Sequence, residues 1–157
     1  MKKLLFLFCL MFISASAFAQ QGKMTCGVHG NFGVDGGNLG LGGNFGYEFI
    51  KNLRGVAEFN YFAKMNNYSS WEAEGNIDYL LKLGDDLTFY PLAGISYASV
   101  THYSDSESKV GLNVGTGLEY TILKELSLKV EFNYKTQKIF NKDPYKYLIK
   151  FGVVFPL

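Results

Sequence analysis

The sequence is poor in cysteine, in proline and in long apolar runs, and each shortage excludes a class of protein. Of its two cysteines, Cys9 lies in an N-terminal apolar stretch and only Cys26 follows it, so removal of that stretch leaves no pair for an intrachain disulfide. Prolines number three in 157 residues. After the N-terminal stretch, no apolar run reaches the roughly 18 residues expected of a membrane-spanning helix. The sequence therefore excludes a disulfide-rich scaffold and a helical membrane protein, and favours a β-rich chain.

An excess of charge of one sign is also missing. The chain has 15 Lys and Arg residues against 14 Asp and Glu residues. Removing the first 19 residues, which include two lysines and no acid, leaves a net charge of about −1. This balance gives no electrostatic reason to expect a nucleic acid as a partner.

The N-terminus has the pattern of a secretory signal. Two lysines precede an apolar stretch at residues 4–13, and Ala17-Phe18-Ala19 provides a small-x-small cleavage site. Ten apolar residues are too few to anchor the chain as a helix, because a bilayer requires roughly 20. The sequence predicts a cleaved signal peptide over residues 1–19 and one exported domain over residues 20–157.

Alternation of apolar and polar residues predicts eight antiparallel strands. In the seventh, Leu128, Val130 and Phe132 alternate with Lys129 and Glu131. Each strand matches the roughly 9 to 11 tilted residues that cross a membrane. The predicted strands are residues 24–34, 39–50, 55–65, 71–83, 87–100, 109–121, 126–136 and 146–156.

The predicted connections alternate in length, which orients the molecule. An even number of strands places both termini at the end with the tight turns, the periplasmic end of an outer-membrane barrel. The tight turns are residues 51–54, 84–86 and 122–125, and the opposite connections are the short 35–38 and the longer polar 66–70, 101–108 and 137–145.

Volume indicates which face of the strands points outward. A soluble, lipocalin-like barrel would place its apolar face inside, but about thirty bulky apolar residues cannot fit within eight strands. The opposite face mixes charged residues with small ones such as Gly42, Gly94 and Gly117, which suits a narrow interior. Aromatic residues near strand ends, such as Trp71 and Tyr147, suit membrane interfaces. The sequence favours an apolar exterior in lipid, with a β-sandwich as the alternative.

With these features, the whole domain resembles the small eight-stranded outer-membrane barrels of the OmpA transmembrane-domain and OmpX type, in the porin-like group of Gram-negative bacteria. The resemblance rests on the signal, the strand count, the stretch Tyr90-Pro91-Leu92-Ala93-Gly94-Ile95 and the aromatic last strand, although the chain ends Phe155-Pro156-Leu157. It implies an up-and-down transmembrane β-barrel in the cell outer membrane. It also implies outer-membrane lipid, lipopolysaccharide and the barrel assembly machinery as partners, and a monomer.

The alternation places charges of both signs in the lumen. A balanced set favours a lumen filled by ion pairs, since a channel more often shows a ring of one sign. A narrow, low-conductance porin-like channel is the alternative. The predicted lumen acids are Glu48, Glu58, Glu72, Glu74, Asp78, Glu119 and Glu131, and the predicted bases are Lys64, Lys82, Lys129, Lys135, Lys146 and Lys150.

One short motif suggests chemistry. His102-Tyr103-Ser104 resembles the His-x-Ser element of the lipid A 3-O-deacylases, which are eight-stranded barrels. That resemblance implies His102 as base, Ser104 as nucleophile and Glu107 or Glu119 as the acidic orienter. The deacylases have Asn after the serine, where this chain has Asp105, and their motif lies on a later strand.

No other constellation indicates a reaction, cofactor or metal. Cys26, His29 and His102 lack ligand spacing, and His29 is expected to hydrogen-bond in the lumen. The leading prediction is therefore a non-enzymatic outer-membrane barrel with a structural role, or one that contacts a host or envelope partner at its surface. The deacylase and channel hypotheses stay open.

Overall fold

Eight long strands form the fold in the computed structural model, which describes residues 22–35, 37–65, 68–102, 105–136 and 147–157, with the backbone alone at residues 64, 65, 68, 102 and 105. After Leu80, the short segment Leu81–Lys82 continues the line of the fourth strand. The described residues include no helix long and apolar enough to cross a membrane. The strands are β1 Met24–Gly33, β2 Asn38–Ile50, β3 Leu53–Met65, β4 Tyr68–Tyr79, β5 Leu87–His102, β6 Asp105–Leu123, β7 Leu126–Lys135 and β8 Tyr147–Pro156.

The sheet closes on itself because β1 pairs with the last strand as well as with the second. Gly30 of β1 lies opposite Leu41 of β2 on one side and Phe151 of β8 on the other. Every other strand is antiparallel to both of its sequence neighbours. The predicted fold class, an all-β, eight-stranded antiparallel up-and-down barrel, is confirmed. A β-sandwich would need two separate sheets, so that alternative is wrong.

The apolar face of each strand points out and the polar face points in. Leu41 and Val110 are 74% and 69% exposed, whereas Glu72 and Lys150 are fully buried. Exposed apolar rows and buried charges are the reverse of a water-soluble barrel and match a barrel solvated by lipid. The lipocalin-like alternative is therefore wrong.

Aromatic side chains cluster on the outside near the end opposite the chain termini, which is called the loop end below. The Trp71 ring lies 6.0 Å from Phe59 and 5.5 Å from Tyr97. On the other side of the barrel, Tyr147 contacts Phe132 and Tyr134 in the same way. These positions suit the membrane interface, where an aromatic ring can be partly in lipid and partly hydrated.

Tight turns form at the opposite end, called the turn end below, and the first of them is shorter than the predicted residues 51–54. Lys51 and Asn52 connect β2 to β3, and Asn52 has a φ of 67°, a left-handed conformation that asparagine tolerates better than most residues. The Asn52 backbone N–H donates a hydrogen bond to Glu48 Oε1 at 3.0 Å. The charge of Glu48 thus stabilises the turn at the mouth of the lumen.

Two of the predicted long loops are wrong. Residues 68–70 belong to β4, and the hairpin of β5 and β6 continues until His102 lies opposite Asp105. Hydroxyl pairs hold these strand ends together: Ser108 Oγ donates to Ser99 Oγ at 2.9 Å, and the Thr101 and Ser106 hydroxyls lie 3.0 Å apart. Because these ends extend past the aromatic clusters, they need no apolar alternation, and their polar sequence resembles a loop. The third predicted loop, residues 137–145, lies outside the described residues.

Candidate functional site in the barrel lumen

A cluster of ion pairs crosses the middle of the lumen. Lys150 Nζ, on β8, lies 2.5 Å from Glu58 Oε2 on β3, 3.2 Å from Glu74 Oε1 on β4 and 3.4 Å from Glu131 Oε1 on β7. All four side chains are buried. One lysine thus joins three strands around the barrel, and the shared carboxylates reduce the cost of burying its charge.

Two further lysines complete this cluster. Lys129 Nζ bridges Glu58 at 3.4 Å and Glu131 at 3.1 Å. Lys135 Nζ, nearer the loop end, bridges Glu72 at 2.5 Å and Glu74 at 2.7 Å. The central cluster comprises Glu58, Glu72, Glu74, Glu131, Lys129, Lys135 and Lys150.

Side-chain amides surround the carboxylates and determine which ring nitrogen of His29 carries the proton. Asn60 Nδ2 donates to Glu74 Oε1 at 2.6 Å, which directs Asn60 Oδ1 away from that carboxylate. Asn60 Oδ1 then accepts hydrogen bonds from Asn31 Nδ2 and from His29 Nε2, both at 2.8 Å. The proton of His29 is therefore on Nε2, and the expectation of a hydrogen-bonded lumen histidine is confirmed.

A second cluster lies toward the turn end, around Arg54. Its Nε and Nη2 atoms both lie 3.1 Å from Asp78 Oδ2, and Nη1 donates to Glu119 Oε2 at 3.0 Å. The guanidinium also lies over the Tyr90 ring, 5.1 Å from its centroid. Tyr90 in turn donates its hydroxyl hydrogen to Glu131 at 3.0 Å, which links this cluster to the central one.

Apolar side chains and glycines fill the remaining space. Phe62 and Leu148 pack together at the loop end, and Ala98 and Val100 form a second, separate buried pair. A Cβ atom at Gly117 would overlap the Tyr90 ring, and one at Gly40 would lie 2.8 Å from the Phe62 ring. Large side chains of some strands thus occupy the space that glycines of others leave, so the described lumen is packed with side chains.

Most predicted lumen charges lie where the sequence places them. Glu58, Glu72, Glu74, Asp78, Glu131, Lys129, Lys135 and Lys150 are buried, and Glu48 and Glu119 are half-buried near the turn end. The prediction for Lys82 is wrong: it keeps the inward register, opposite Thr88, but it is exposed at the turn end rather than buried in the lumen. The side chain of Lys64 and the whole of Lys146 lie outside the described residues.

Sequence reasoning missed Arg54. The sequence pattern assigns Arg54 to the tight turn at residues 51–54, but β3 already begins at Leu53. Arg54 therefore continues the inward row of Val56, Glu58 and Asn60. Extending the alternation by one step would have placed this arginine in the lumen. It is the residue type best suited to hold two carboxylates at once.

The predicted deacylase residues are not brought together by the described part of the chain. The side chain of His102 and the whole of Ser104 lie outside it. Glu119, one proposed orienter, bonds Arg54 at the turn end, and at a rise of about 3.4 Å per residue it lies roughly 48 Å along β6 from Asp105. Glu119 therefore cannot orient His102. Glu107, the other candidate, forms an ion pair with Lys109 at 3.1 Å.

Metal ligation has no support among the described residues, which contain no group of three or more His, Cys, Asp or Glu side chains able to hold an ion. Cys26 is half-buried on the outer face of β1, whereas His29 points into the lumen. The two strongest ligand types in this strand therefore lie on opposite sides of the barrel wall.

A closed antiparallel sheet, an apolar exterior and an ion-paired interior define an integral β-barrel membrane protein. The chain belongs to the family of the outer membrane protein beta-barrel domain, whose model matches residues 5–155. It is therefore a multi-pass protein of the bacterial outer membrane, in contact with the lipid of that membrane.

Solved structures share this fold at low sequence identity. The N-terminal beta-barrel domain of Pseudomonas aeruginosa OprF is 16% identical with a TM-score of 0.72, over 87% of this chain and 100% of that one. Neisserial surface protein A is 14% identical with a TM-score of 0.61, over 87% and 94%. Ail of Yersinia pestis, in complex with the heparin analogue sucrose octasulfate, is 16% identical with a TM-score of 0.58, over 87% and 97%. No curated protein matches the chain.

Proposed function

We propose that the protein is a non-conducting, non-enzymatic barrel that serves as a structural element of the outer membrane and as a surface for contact at its loop end. The observation that carries this proposal is the central cluster, in which Lys150 joins carboxylates from three other strands. An ion entering the lumen would have to displace several buried ion pairs at once, each of which is costly to separate.

Conductance in planar bilayers tests the closed lumen. We expect no steady openings from the wild-type protein. The double variant Glu74→Ala/Lys150→Ala removes an opposing pair and two side-chain volumes, so it should show currents if the central cluster is what closes the lumen. The control Glu107→Ala/Lys109→Ala removes an ion pair in which Lys109 is half-exposed, and it should stay silent. Steady, ion-selective openings of the wild type would refute the proposal and support the channel alternative.

The extended strand ends support a surface role. The paired ends of β5 and β6 continue until His102 lies opposite Asp105, past the aromatic cluster of Trp71. Strands that project beyond the membrane present backbone and side-chain groups that another protein can contact. Ail, which is similar in fold, is the attachment invasion locus protein of Yersinia pestis, and we propose a host or envelope surface as the partner of this chain. We further propose maturation by cleavage after Ala19, insertion by the barrel assembly machinery, and a monomeric state.

A lipid A hydrolysis assay tests the absence of enzymatic activity. The purified protein, incubated with lipid A, should release no fatty acid. Release that is abolished by Ser104→Ala would overturn the non-enzymatic assignment and identify the motif at residues 102–104 as a catalytic site.

A further inference from the structure

The outer surface carries an apolar groove across β8, β1, β2 and β3. It has a volume of about 560 Å³, within the range of roughly 300–1,000 Å³ typical of ligand pockets. Gly30 forms part of its floor, and Ala63 also lines it. The side chains of Phe32, Leu39, Leu41, Tyr61 and Phe151 form its walls.

The groove exists because Gly30 has no side chain. Its two cross-strand neighbours, Leu41 and Phe151, are bulky and exposed, so the apolar row is interrupted at this one position. A Cβ atom at Gly30 would meet nothing closer than two backbone oxygens at 3.9 and 4.0 Å, an ordinary contact distance. In the lumen, by contrast, a Cβ at Gly42 would collide with Asn60 and His29. Packing therefore requires glycine at position 42 but not at position 30.

Position and chemistry define what the groove can bind. It is continuous with the exposed apolar band that contacts membrane lipid, and its walls carry no charged side chain. Phe32 and Leu39 lie within one residue of the loop-end limits of β1 and β2, so the groove faces the outer leaflet. Nine residues line the groove, whereas a stable interface involves roughly 20–30 residues on each partner, so the groove is not a subunit interface on its own.

We propose that this groove binds one acyl chain of lipid A, the lipid of the outer leaflet. The chain lies over Gly30 between Leu41 and Phe151. Tyr61, on the wall nearest the aromatic cluster of Trp71, is placed toward the membrane interface. An acyl chain held here contacts both the glycine floor and the side-chain walls of the groove.

Native mass spectrometry of the mature protein, released from detergent micelles containing lipid A, tests this site. The wild type should retain one lipid A, and Gly30→Leu should weaken retention at least tenfold, because the leucine side chain fills the groove. Gly75→Leu is the matched control: Gly75 is exposed on β4, lines no part of the groove, and a Cβ there meets nothing within 4 Å. It should retain lipid A as the wild type does.

Equal retention by Gly30→Leu and Gly75→Leu would overturn the proposal. Equal retention of phosphatidylethanolamine and lipid A by the wild type would also overturn the proposal, because the groove would then not distinguish lipid A from another lipid. If the wild type formed a dimer that Gly30→Leu abolished, the occupant of the groove would be a second copy of the chain, and the lipid proposal would be overturned. Both variants must first show the heat-modifiable gel migration of a folded barrel. The result does not depend on whether the lumen conducts.

Discussion

Glu74 is the residue at which most of the lumen network meets. Its two carboxylate oxygens accept hydrogen bonds from two lysines and three asparagines, of which four come from four other strands and one, Asn76, from its own strand. A buried carboxylate is tolerated in such a place only because positive charge and donors surround it. The donors are Asn60 at 2.6 Å, Lys135 at 2.7 Å, Asn113 at 2.8 Å, Lys150 at 3.2 Å and Asn76 at 3.3 Å.

Replacing Glu74 by glutamine should destabilise the barrel strongly. The variant keeps the shape of the side chain but removes its charge, which leaves Lys135 and Lys150 buried with fewer carboxylates. Breaking a buried pair in this way costs about 3–5 kcal/mol. Urea unfolding in lipid vesicles measures the loss. The control Glu107→Gln, at an ion pair near the surface, should change the free energy of unfolding by about 1 kcal/mol or less. Equal effects of the two substitutions would contradict the central role of the cluster.

Single residues show where sequence reasoning succeeds and where it stops. Glu58, Glu131 and Lys150 could be placed in the lumen because each sits between two outward apolar residues, and a period of two leaves no other face. Lys82 has the same inward register, opposite Thr88, but it lies at the turn end and is exposed, which alternation alone does not reveal. The identity of each ion pair was also beyond prediction, since it depends on the stagger of strands that are far apart in sequence.

At the scale of elements, the β5–β6 hairpin departs most from expectation. Its outer part was predicted as a loop because Ser, Thr, Asp and His residues replace the apolar alternation. The structure instead continues the pairing from Tyr97 opposite Val110 to His102 opposite Asp105. Cross-strand hydroxyl hydrogen bonds can support a strand end in water without an apolar face. The alternation of apolar and polar residues therefore predicts only the part of a strand that lies within the membrane.

A disulfide tests this extension. Ser99 and Ser108 lie directly opposite each other, with their hydroxyl oxygens 2.9 Å apart, so cysteines at both positions should oxidise readily. The variant Ser99→Cys/Ser108→Cys, in a Cys26→Ser background, should lose its free thiols in a thiol titration of the folded protein. The diagonal pair Ser99→Cys/Ser106→Cys should oxidise far more slowly, because diagonal neighbours are about 7–8 Å apart. If both pairs reacted at the same rate, residues 99–108 would be a mobile loop.

For the molecule as a whole, the volume of the apolar face was the decisive sequence signal. About thirty bulky side chains cannot fit inside eight strands, and this indicated an apolar exterior before any contact was known. The apolar contribution to the interior was not foreseen: Phe62, Tyr90 and Leu148 point inward, against the binary pattern. Phe62 and Tyr90 fill the space left by their directly opposite partners Gly40 and Gly117 on the neighbouring strands, and finding such pairs requires the register of each hairpin.

Closure between the first and last strands is the property on which the whole barrel depends, and Cys26 offers a test of it. Cys26 of β1 lies opposite Phe155 of β8, and both side chains are on the outer face. The substitution Phe155→Cys should therefore allow a disulfide that closes nearly the entire chain into one loop. In the chain-entropy description, loops of about 100 residues gain about 4.7 kcal/mol in stability. The oxidised variant should unfold at a higher urea concentration than the reduced one. Phe151→Cys, which lies opposite Gly30, should leave Cys26 titratable; if it oxidised as fully as Phe155→Cys, the β1–β8 register would be different.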